Sequence, residues 1–271
     1  MTYATPPGGL PPQDKTLDER AVFTAAYAFI PADTMRDITT SFLPGWTGMR
    51  MWVIARPLTG FAESFSHYIV ELDHLGGSDA PEENPAAEGV IFVVGGHGEL
   101  TLNGQTHLLR PGSYAYLPAG ADWQIKNDHA EAFTFHWLRK RYRPSPHVAA
   151  PVGFVTHEAD APVIEMPDTG GRWSTTRFVS PTDMAHDMHV NIVNFEPGGV
   201  IPFMETHVME HGLYVLEGTA EYRLNDDWVS VGPGDYMWLR AFCPQACRAT
   251  GDGQFRYLLY KDVNRHAALG L

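Results

Sequence analysis

Short segments in which apolar and polar residues alternate recur along the whole chain, and long runs with helical spacing are hard to find. Such alternation predicts strands that bury one face in a core. Turn signals rich in Gly, Pro and Asn separate the segments, as at 95–96, 103–104, 111–112, 197–199 and 232–234. The predicted strands lie at 51–54, 65–72, 89–94, 98–102, 113–117, 133–137, 189–195, 213–216, 220–224, 235–239 and 255–260. Strands of this length and spacing predict an all-β sandwich or barrel.

The two halves of the chain resemble each other. Residues 88–120 align against residues 211–242, with Gly95 matched to Gly218, Pro111 to Pro233 and Tyr114 to Tyr236. A stretch at 144–170 with five prolines separates the halves. Two copies of one small β-barrel are the simplest account of this repeat. The predicted divisions are an N-terminal arm at 1–20, an N-terminal barrel at 21–145, a connecting segment at 146–180 and a C-terminal barrel at 181–271.

Composition narrows the class of partner. The 271 residues carry a formal net charge of −13, which argues against binding nucleic acid. No apolar run approaches the length of a membrane helix, and the first residues lack the layout of a secretory signal, so a cytoplasmic protein with no membrane partner is predicted. Two cysteines, Cys243 and Cys247, are too few for a disulfide framework.

The strongest chemical signal lies around residues 197–218. Glu205 and His207 are two residues apart, so on a strand their side chains share a face, and His211 opens the next predicted strand. Gln245 lies just beyond the following hairpin, where the barrel wall returns to the same mouth. Two imidazoles, one carboxylate and one amide oxygen suit a first-row divalent metal with open positions. The absence of thiolate from this set argues against structural zinc.

A rival interpretation of the same residues is a zinc peptidase. Residues 207–211 match the H-x-x-E-H pattern, which places both histidines on one side of a helix. The glycines and prolines before the motif, and the β-type run after Gly212, leave no room for such a helix. The context therefore favours strands.

The motif resembles the cupin pattern G-x5-H-x-H-x3-E-x6-G, which is followed by P-x-G and a late His. Two departures stand out: the outer His and Glu are exchanged, and the late His is Gln. The positions that fall on the pattern are Gly199, Glu205, His207, His211, Gly218, Pro233, Gly234 and Gln245. The exchanged set resembles the (S)-ureidoglycine aminohydrolase family, most closely at residues 205–238 and 257–265.

This resemblance implies a bicupin, which is two tandem double-stranded β-helix (jelly-roll) barrels. It also implies a hydrolase acting on C–N bonds, which converts (S)-ureidoglycine to (S)-ureidoglycolate and ammonia in purine (allantoin) breakdown. The implied metal is Mn²⁺, held by Glu205, His207, His211 and Gln245. The implied substrate residues are Tyr222, Tyr257 and Lys261, with Lys261 meeting the substrate carboxylate, and the implied catalytic residues are Glu205, Tyr222 and Lys261.

The residues themselves support part of that expectation. Lys261 alternates with Tyr257 and Leu259 on a predicted strand, so it can point into the barrel. A buried ammonium among apolar neighbours needs an anion, which a substrate carboxylate would supply. Cupin barrels expose sheet edges, so we also expect a homo-oligomer.

The N-terminal copy is predicted to lack the metal site. Glu82, Asn84, Glu88 and Trp123 stand at the positions of the four predicted ligands. This set contains no imidazole and has an indole at the last position, so we expect it to bind a transition metal only weakly. The remaining histidines of this half, His97, His107, His129 and His136, do not fall on ligand positions.

Two other functions stay open at this point. A cupin oxygenase would hold Fe(II) and consume O₂, although a Gln ligand would be unusual there. A cupin that binds a small molecule without reaction would show no turnover. No helix-turn-helix segment or basic face supports a DNA-binding regulator.

Overall fold

The computed structural model describes residues 3–6, 21–35 and 43–263. Most of the predicted N-terminal arm therefore lies outside the described residues. Within the described ranges the chain forms twenty strands and two 3-10 helices, Ala32–Thr34 and Glu158–Asp160. In that part of the chain, no helix is long and apolar enough to cross a membrane.

The strands are short and follow one another along the whole chain. In chain order they are β1 (Val22–Phe23), β2 (Tyr27–Ile30), β3 (Thr47–Ala55), β4 (Ser66–Ser78), β5 (Ala87–Gly95), β6 (Gly98–Leu102), β7 (Gln105–Leu109), β8 (Ser113–Leu117), β9 (Trp123–Lys126), β10 (Phe133–Arg141), β11 (Phe154–His157), β12 (Val163–Glu165), β13 (Trp173–Arg177), β14 (Met188–Phe195), β15 (His211–Glu217), β16 (Ala220–Leu224), β17 (Asp227–Val231), β18 (Tyr236–Leu239), β19 (Gln245–Ala249) and β20 (Phe255–Asp262). Each predicted strand coincides with one of these, and the predicted all-β bicupin fold is confirmed.

The strands form two barrel-like units. In the first, the order β11-β8-β5-β10-β4-β9-β6-β7 makes one sheet, and β3 pairs with β4. In the second, an eight-stranded sheet has the order β1-β2-β18-β15-β20-β14-β13-β12, and a smaller sheet, β17-β16-β19, lies opposite it. All the pairings are antiparallel, which matches the alternating sequence pattern.

Each barrel contains one strand whose residues lie outside the bounds predicted for that barrel. The apolar strand β2, at residues predicted to start the N-terminal barrel, pairs with β18 in the C-terminal barrel. Strand β11, from the predicted connecting segment, pairs with β8 in the N-terminal barrel. Both strands cover a sheet edge that would otherwise present unpaired backbone groups. The predicted domain bounds themselves stay a prediction.

Three apolar cores follow from the alternation of side chains. One core lies inside each barrel, and a third lies between the barrels and contains residues from both. On β20, Tyr257 packs inside the C-terminal barrel, whereas Leu258 and Tyr260 pack between the barrels. Both faces of the central strands β14, β15 and β20 are therefore buried, so each residue along them has only one of two environments.

The repeat is offset by one residue from the predicted match of Gly95 with Gly218, whereas the predicted match of Tyr114 with Tyr236 agrees with the strand ladders. Gly96 and Gly218 both have positive φ, at +65° and +76°, and Gly95 does not share that conformation. Across the ladders, Gly89 lies opposite Arg139 as His211 lies opposite Lys261. The prediction that Glu88 stands at the position of His211 is therefore wrong, because Gly89, which has no side chain, occupies that position of the ladder.

A buried histidine pair lies where the barrels meet. His67 Nε2 and His136 Nδ1 are 2.8 Å apart, and both residues are fully buried. Burial lowers the pKa of His136 to about 3. Burial, and then the neighbouring His136, hold the pKa of His67 well below its usual value.

Stability should therefore fall as the pH drops from about 6.5 towards 4. In that pH range the two histidines bind protons in the unfolded chain but stay neutral in the folded protein. Lower pH therefore reduces the free energy of unfolding. At 1.36 kcal/mol per pKa unit, His136 alone accounts for a loss of about 3 kcal/mol by pH 4. Urea unfolding of wild type and His136→Gln at several pH values measures the slope. An equally steep slope in the variant, which lacks the titrating group, would contradict the account.

Candidate active site in the C-terminal barrel

Backbone pairing brings Glu205 and Gln245 side by side. The backbone N–H of each residue donates to the backbone carbonyl oxygen of the other, and both N to O distances are 2.9 Å. The carbonyl oxygen of His207 accepts from the amide of Phe242 at 2.6 Å, which ties the same two loops together again. His211 begins β15. Its side chain lies on the same face of the strand as those of Leu213 and Val215, which pack inside the barrel. The four predicted ligands thus meet at one mouth of the barrel.

The side chains of these residues contact one another. Glu205 Oε2 is 3.6 Å from His207 Nε2, and Gln245 Nε2 donates to Glu205 Oε2 at 3.4 Å. The rings of His207 and His211 lie 5.6 Å apart between centroids. His211 Nδ1 is 3.2 Å from the carbonyl oxygen of Met209, which leaves Nε2 buried without a hydrogen-bond partner.

This set fits a divalent metal in the type of its donor atoms. Burial lowers the pKa of His211 to about 4, so its imidazole is neutral at pH 7 and its free Nε2 can bind a metal. Glu205 adds a carboxylate and Gln245 an amide oxygen, a mixture that suits first-row divalent ions. Among the described residues, no three His, Cys, Asp or Glu side chains converge as a preformed metal group. The four side chains thus match a metal in donor type but are not arranged as a preformed metal group.

Two buried tyrosines line the barrel next to this set. Tyr222 donates its hydroxyl proton to Gln245 Oε1 at 2.8 Å and so orients the amide. The ring of Tyr257 lies 6.0 Å from that of Tyr222, nearly perpendicular to it. Burial raises the pKa of both hydroxyl groups well above 10, so both stay protonated and act as hydrogen-bond donors.

Lys261 lies directly across the strand ladder from the predicted ligand His211. On its other side it lies across from His189, so the three residues form a row over β14, β20 and β15. Burial lowers the pKa of the Lys261 ammonium, whereas Glu205 raises it and Arg177 lowers it. A poorly hydrated ammonium with a second cation nearby favours an anion at this place.

Sequence reasoning missed three polar residues of this wall. His189 and Asn191 alternate with Val193 and Phe195, which pack inside the barrel, so their side chains share the inner face. His189 Nε2 and Asn191 Oδ1 are buried without a hydrogen-bond partner. Arg177 lies opposite Asn191 at the end of β13. The signal was present in the sequence as polar residues at alternate positions of an otherwise apolar strand.

One cavity borders the predicted site of the C-terminal barrel, and another lies in the N-terminal barrel. A cavity of about 170 Å³ adjoins the predicted site, lined by residues that include His186, His189, Met209 and Lys261. A cavity of about 300 Å³ in the N-terminal barrel is lined by residues that include Glu82, Asn84, Gly89, Trp123 and Trp137.

The acidic residues of the N-terminal copy are engaged elsewhere. Glu82 is paired with Arg139 through two hydrogen bonds of 2.5 Å. Glu88 accepts a hydrogen bond from Tyr116 at 2.8 Å. That this copy lacks a metal stays a prediction.

Comparison with known proteins identifies the class first. The cupin domain family matches residues 69–139 and again residues 191–260, so the chain belongs to the cupin family and contains two cupin domains. It is 33% identical over 249 residues to the (S)-ureidoglycine aminohydrolase of Arabidopsis thaliana, covering 91% of this chain and 79% of that protein. The chain therefore belongs to the (S)-ureidoglycine aminohydrolase family.

Two bacterial proteins extend the comparison. The (S)-ureidoglycine aminohydrolase of Escherichia coli (strain K12) is 29% identical over 237 residues, which cover 84% of this chain and 86% of that protein. A crystal structure of a glyoxylate-induced protein from Pseudomonas aeruginosa superimposes with a TM-score of 0.92 at 63% identity. That match covers 100% of this chain and 99% of the other.

Loss of either imidazole should remove most of the metal affinity. We expect His207→Ala and His211→Ala to weaken Mn²⁺ binding by more than about 100-fold, since outer-shell changes alone reach that size. His97→Ala, at an exposed histidine of the N-terminal barrel, is the matched control. Calorimetric titration of metal-stripped protein measures the affinities. Unchanged binding in both site variants would place the metal elsewhere.

Proposed function

We propose that this chain hydrolyses (S)-ureidoglycine to (S)-ureidoglycolate and ammonia in purine (allantoin) breakdown, and that it depends on a metal. The observation that carries the proposal is 33% identity across 91% of the chain to an (S)-ureidoglycine aminohydrolase. The inner wall of the C-terminal barrel supports it, because Glu205, His207, His211 and Gln245 meet there beside Lys261.

The proposed metal ligands are Glu205, His207, His211 and Gln245, and the proposed ion is Mn²⁺. When bound, such an ion polarises the reacting centre and lowers the pKa of a bound water. The free Nε2 of His211 and the mixed oxygen and nitrogen donors support this assignment. Tyr222 contributes by holding the amide of Gln245 in place.

Lys261 is proposed to bind the substrate carboxylate. Lys261 is the cross-strand neighbour of His211 in the same sheet, and it lines the cavity beside the site. Arg177 adds positive potential at the same wall, which favours an anion further. With the carboxylate held at this wall, one face of the reacting carbon is turned towards the predicted metal ligands, which accounts for formation of a single enantiomer.

Hydrolysis requires that a proton move from water to the leaving amine. The C–N bond to the amine breaks, the water oxygen bonds to the same carbon, and ammonia leaves with the proton that water gives up. Glu205 is the proposed carrier, because its carboxylate lies within the ligand set and can accept a proton and release it again. Burial raises the pKa of the Tyr222 hydroxyl well above 10, so its proposed catalytic part is that of a hydrogen-bond donor.

We also propose a cytoplasmic homo-oligomer. Cys243 and Cys247 are both buried and free, as is typical of proteins in reducing compartments. Val163 and Ile164 lie exposed on the edge strand β12, which favours contact with a second copy. Light scattering in solution tests the assembly, and a monomeric mass would refute it.

The activity is tested by ammonia release from freshly generated ureidoglycine. Metal-stripped protein should be inactive, and added Mn²⁺ should restore release together with a single ureidoglycolate enantiomer. Chiral chromatography of the product separates the enzymatic reaction from spontaneous decay. Release at the spontaneous rate with racemic product would refute the proposed function.

Replacing Lys261 with Met should separate substrate binding from metal binding. We expect Lys261→Met to keep its Mn²⁺ affinity but to raise KM by about 10- to 100-fold, the effect of losing one charged hydrogen bond. The product should also lose enantiomeric purity. Lys126→Met, at an exposed lysine of the N-terminal barrel, is the control. Unchanged kinetics in Lys261→Met would remove the carboxylate role.

A further inference from the structure

The proposed mechanism assigns no role to the polar residues of β14. His189 and Asn191 on β14 are 7% and 6% exposed, and each has a side-chain polar atom without a hydrogen-bond partner. A buried polar atom without a partner destabilises the folded state, so two such atoms on one strand call for an explanation. Such atoms are expected where a ligand supplies the missing partner.

The strand register places both residues beside the predicted substrate site. His189 lies directly across from Lys261, and Asn191 directly across from Leu259, which separates Tyr257 from Lys261 on the inner face. Residues directly opposite in such a ladder lie roughly 5 Å apart. His189 also lines the cavity that Lys261 lines, so both side chains border space that a small molecule can occupy.

One group of the proposed substrate has no assigned partner. Lys261 is assigned to the carboxylate, and the predicted metal ligands face the carbon that loses its amine. The ureido group remains, with N–H donors on one side and a carbonyl acceptor on the other. A carboxamide is complementary to it, because its oxygen can accept from an N–H while its NH₂ donates to the carbonyl.

We propose that Asn191 and His189 form the ureido-binding wall of this site, with Asn191 Oδ1 accepting from a ureido N–H and His189 Nε2 bonding beside it. This inference rests on the proposed function. It assigns specificity for the ureido substituent to β14, separately from the carboxylate at Lys261 and from the metal ligands.

The electrostatics of the wall suit a neutral ligand group. Burial, then Lys261 and other nearby groups including Arg177, lower the pKa of His189 to about 4. His189 is therefore uncharged at pH 7 and offers one donor or acceptor without attracting the carboxylate away from Lys261. Asn191 is likewise neutral. Lys261 thus binds the carboxylate end of the substrate, and the neutral Asn191 binds the ureido end.

The test compares two ligands that differ by the ureido group. Binding of (S)-ureidoglycolate and of glycolate to the Mn²⁺-loaded protein is measured by calorimetry, and the ratio of the two affinities isolates the ureido contribution. Asn191→Leu keeps the side-chain volume but cannot form hydrogen bonds. We expect it to reduce the ratio by about tenfold or more while leaving Mn²⁺ affinity unchanged. General damage to the site would weaken both ligands alike and leave the ratio intact.

Further variants make each result decisive. His189→Leu should also lower the ratio, and Asn84→Leu, at an exposed asparagine by the cavity of the N-terminal barrel, should not. Unchanged ratios in Asn191→Leu and His189→Leu, in a protein that releases ammonia normally, would overturn this inference alone. A wild-type protein that neither releases ammonia nor prefers (S)-ureidoglycolate to glycolate would overturn both this inference and the proposed function.

Discussion

The site depends on a sheet that is buried on both faces. Strands β14, β15 and β20 pack one face against the N-terminal barrel and turn the other towards the inside of their own barrel. Because side chains alternate along a strand, every second residue must suit an apolar interface and the residues between them must suit the barrel interior. A shift of one residue would exchange the two sets, so the register is strongly determined. This constraint aligns His189, Lys261 and His211 in one row.

Packing between the two barrels also offsets the free-energy cost of polar groups inside the C-terminal barrel. Buried atoms without partners, such as His189 Nε2, Asn191 Oδ1 and His211 Nε2, each weaken the folded state. Tightly packed rings between the barrels offset that loss, as in the contact between Phe65 and Tyr260, whose ring centroids are 4.9 Å apart. The N-terminal barrel thus has a structural role that does not require a metal of its own.

Much of this arrangement could be predicted from the sequence. Alternation located the long strands, and the Glu205, His207, His211 and Gln245 set followed from spacing. Strands such as β7 and β17 were missed because they are largely exposed and carry polar residues at inner and outer positions alike. Strand β2 was not predicted from the sequence, and its partner, β18, is distant along the chain. The offset in the repeat escaped notice because Gly95 and Gly96 both fit the position of Gly218, and the positive φ of Gly96 and the strand ladders distinguish them.

The claim that one barrel holds the metal and the other does not is tested most directly by anomalous diffraction from crystals loaded with Mn²⁺. The account predicts one anomalous peak per chain, enclosed by Glu205, His207, His211 and Gln245, and none in the cavity beside Trp123. A peak in the N-terminal cavity, or no peak among these four side chains at saturating Mn²⁺, would contradict it.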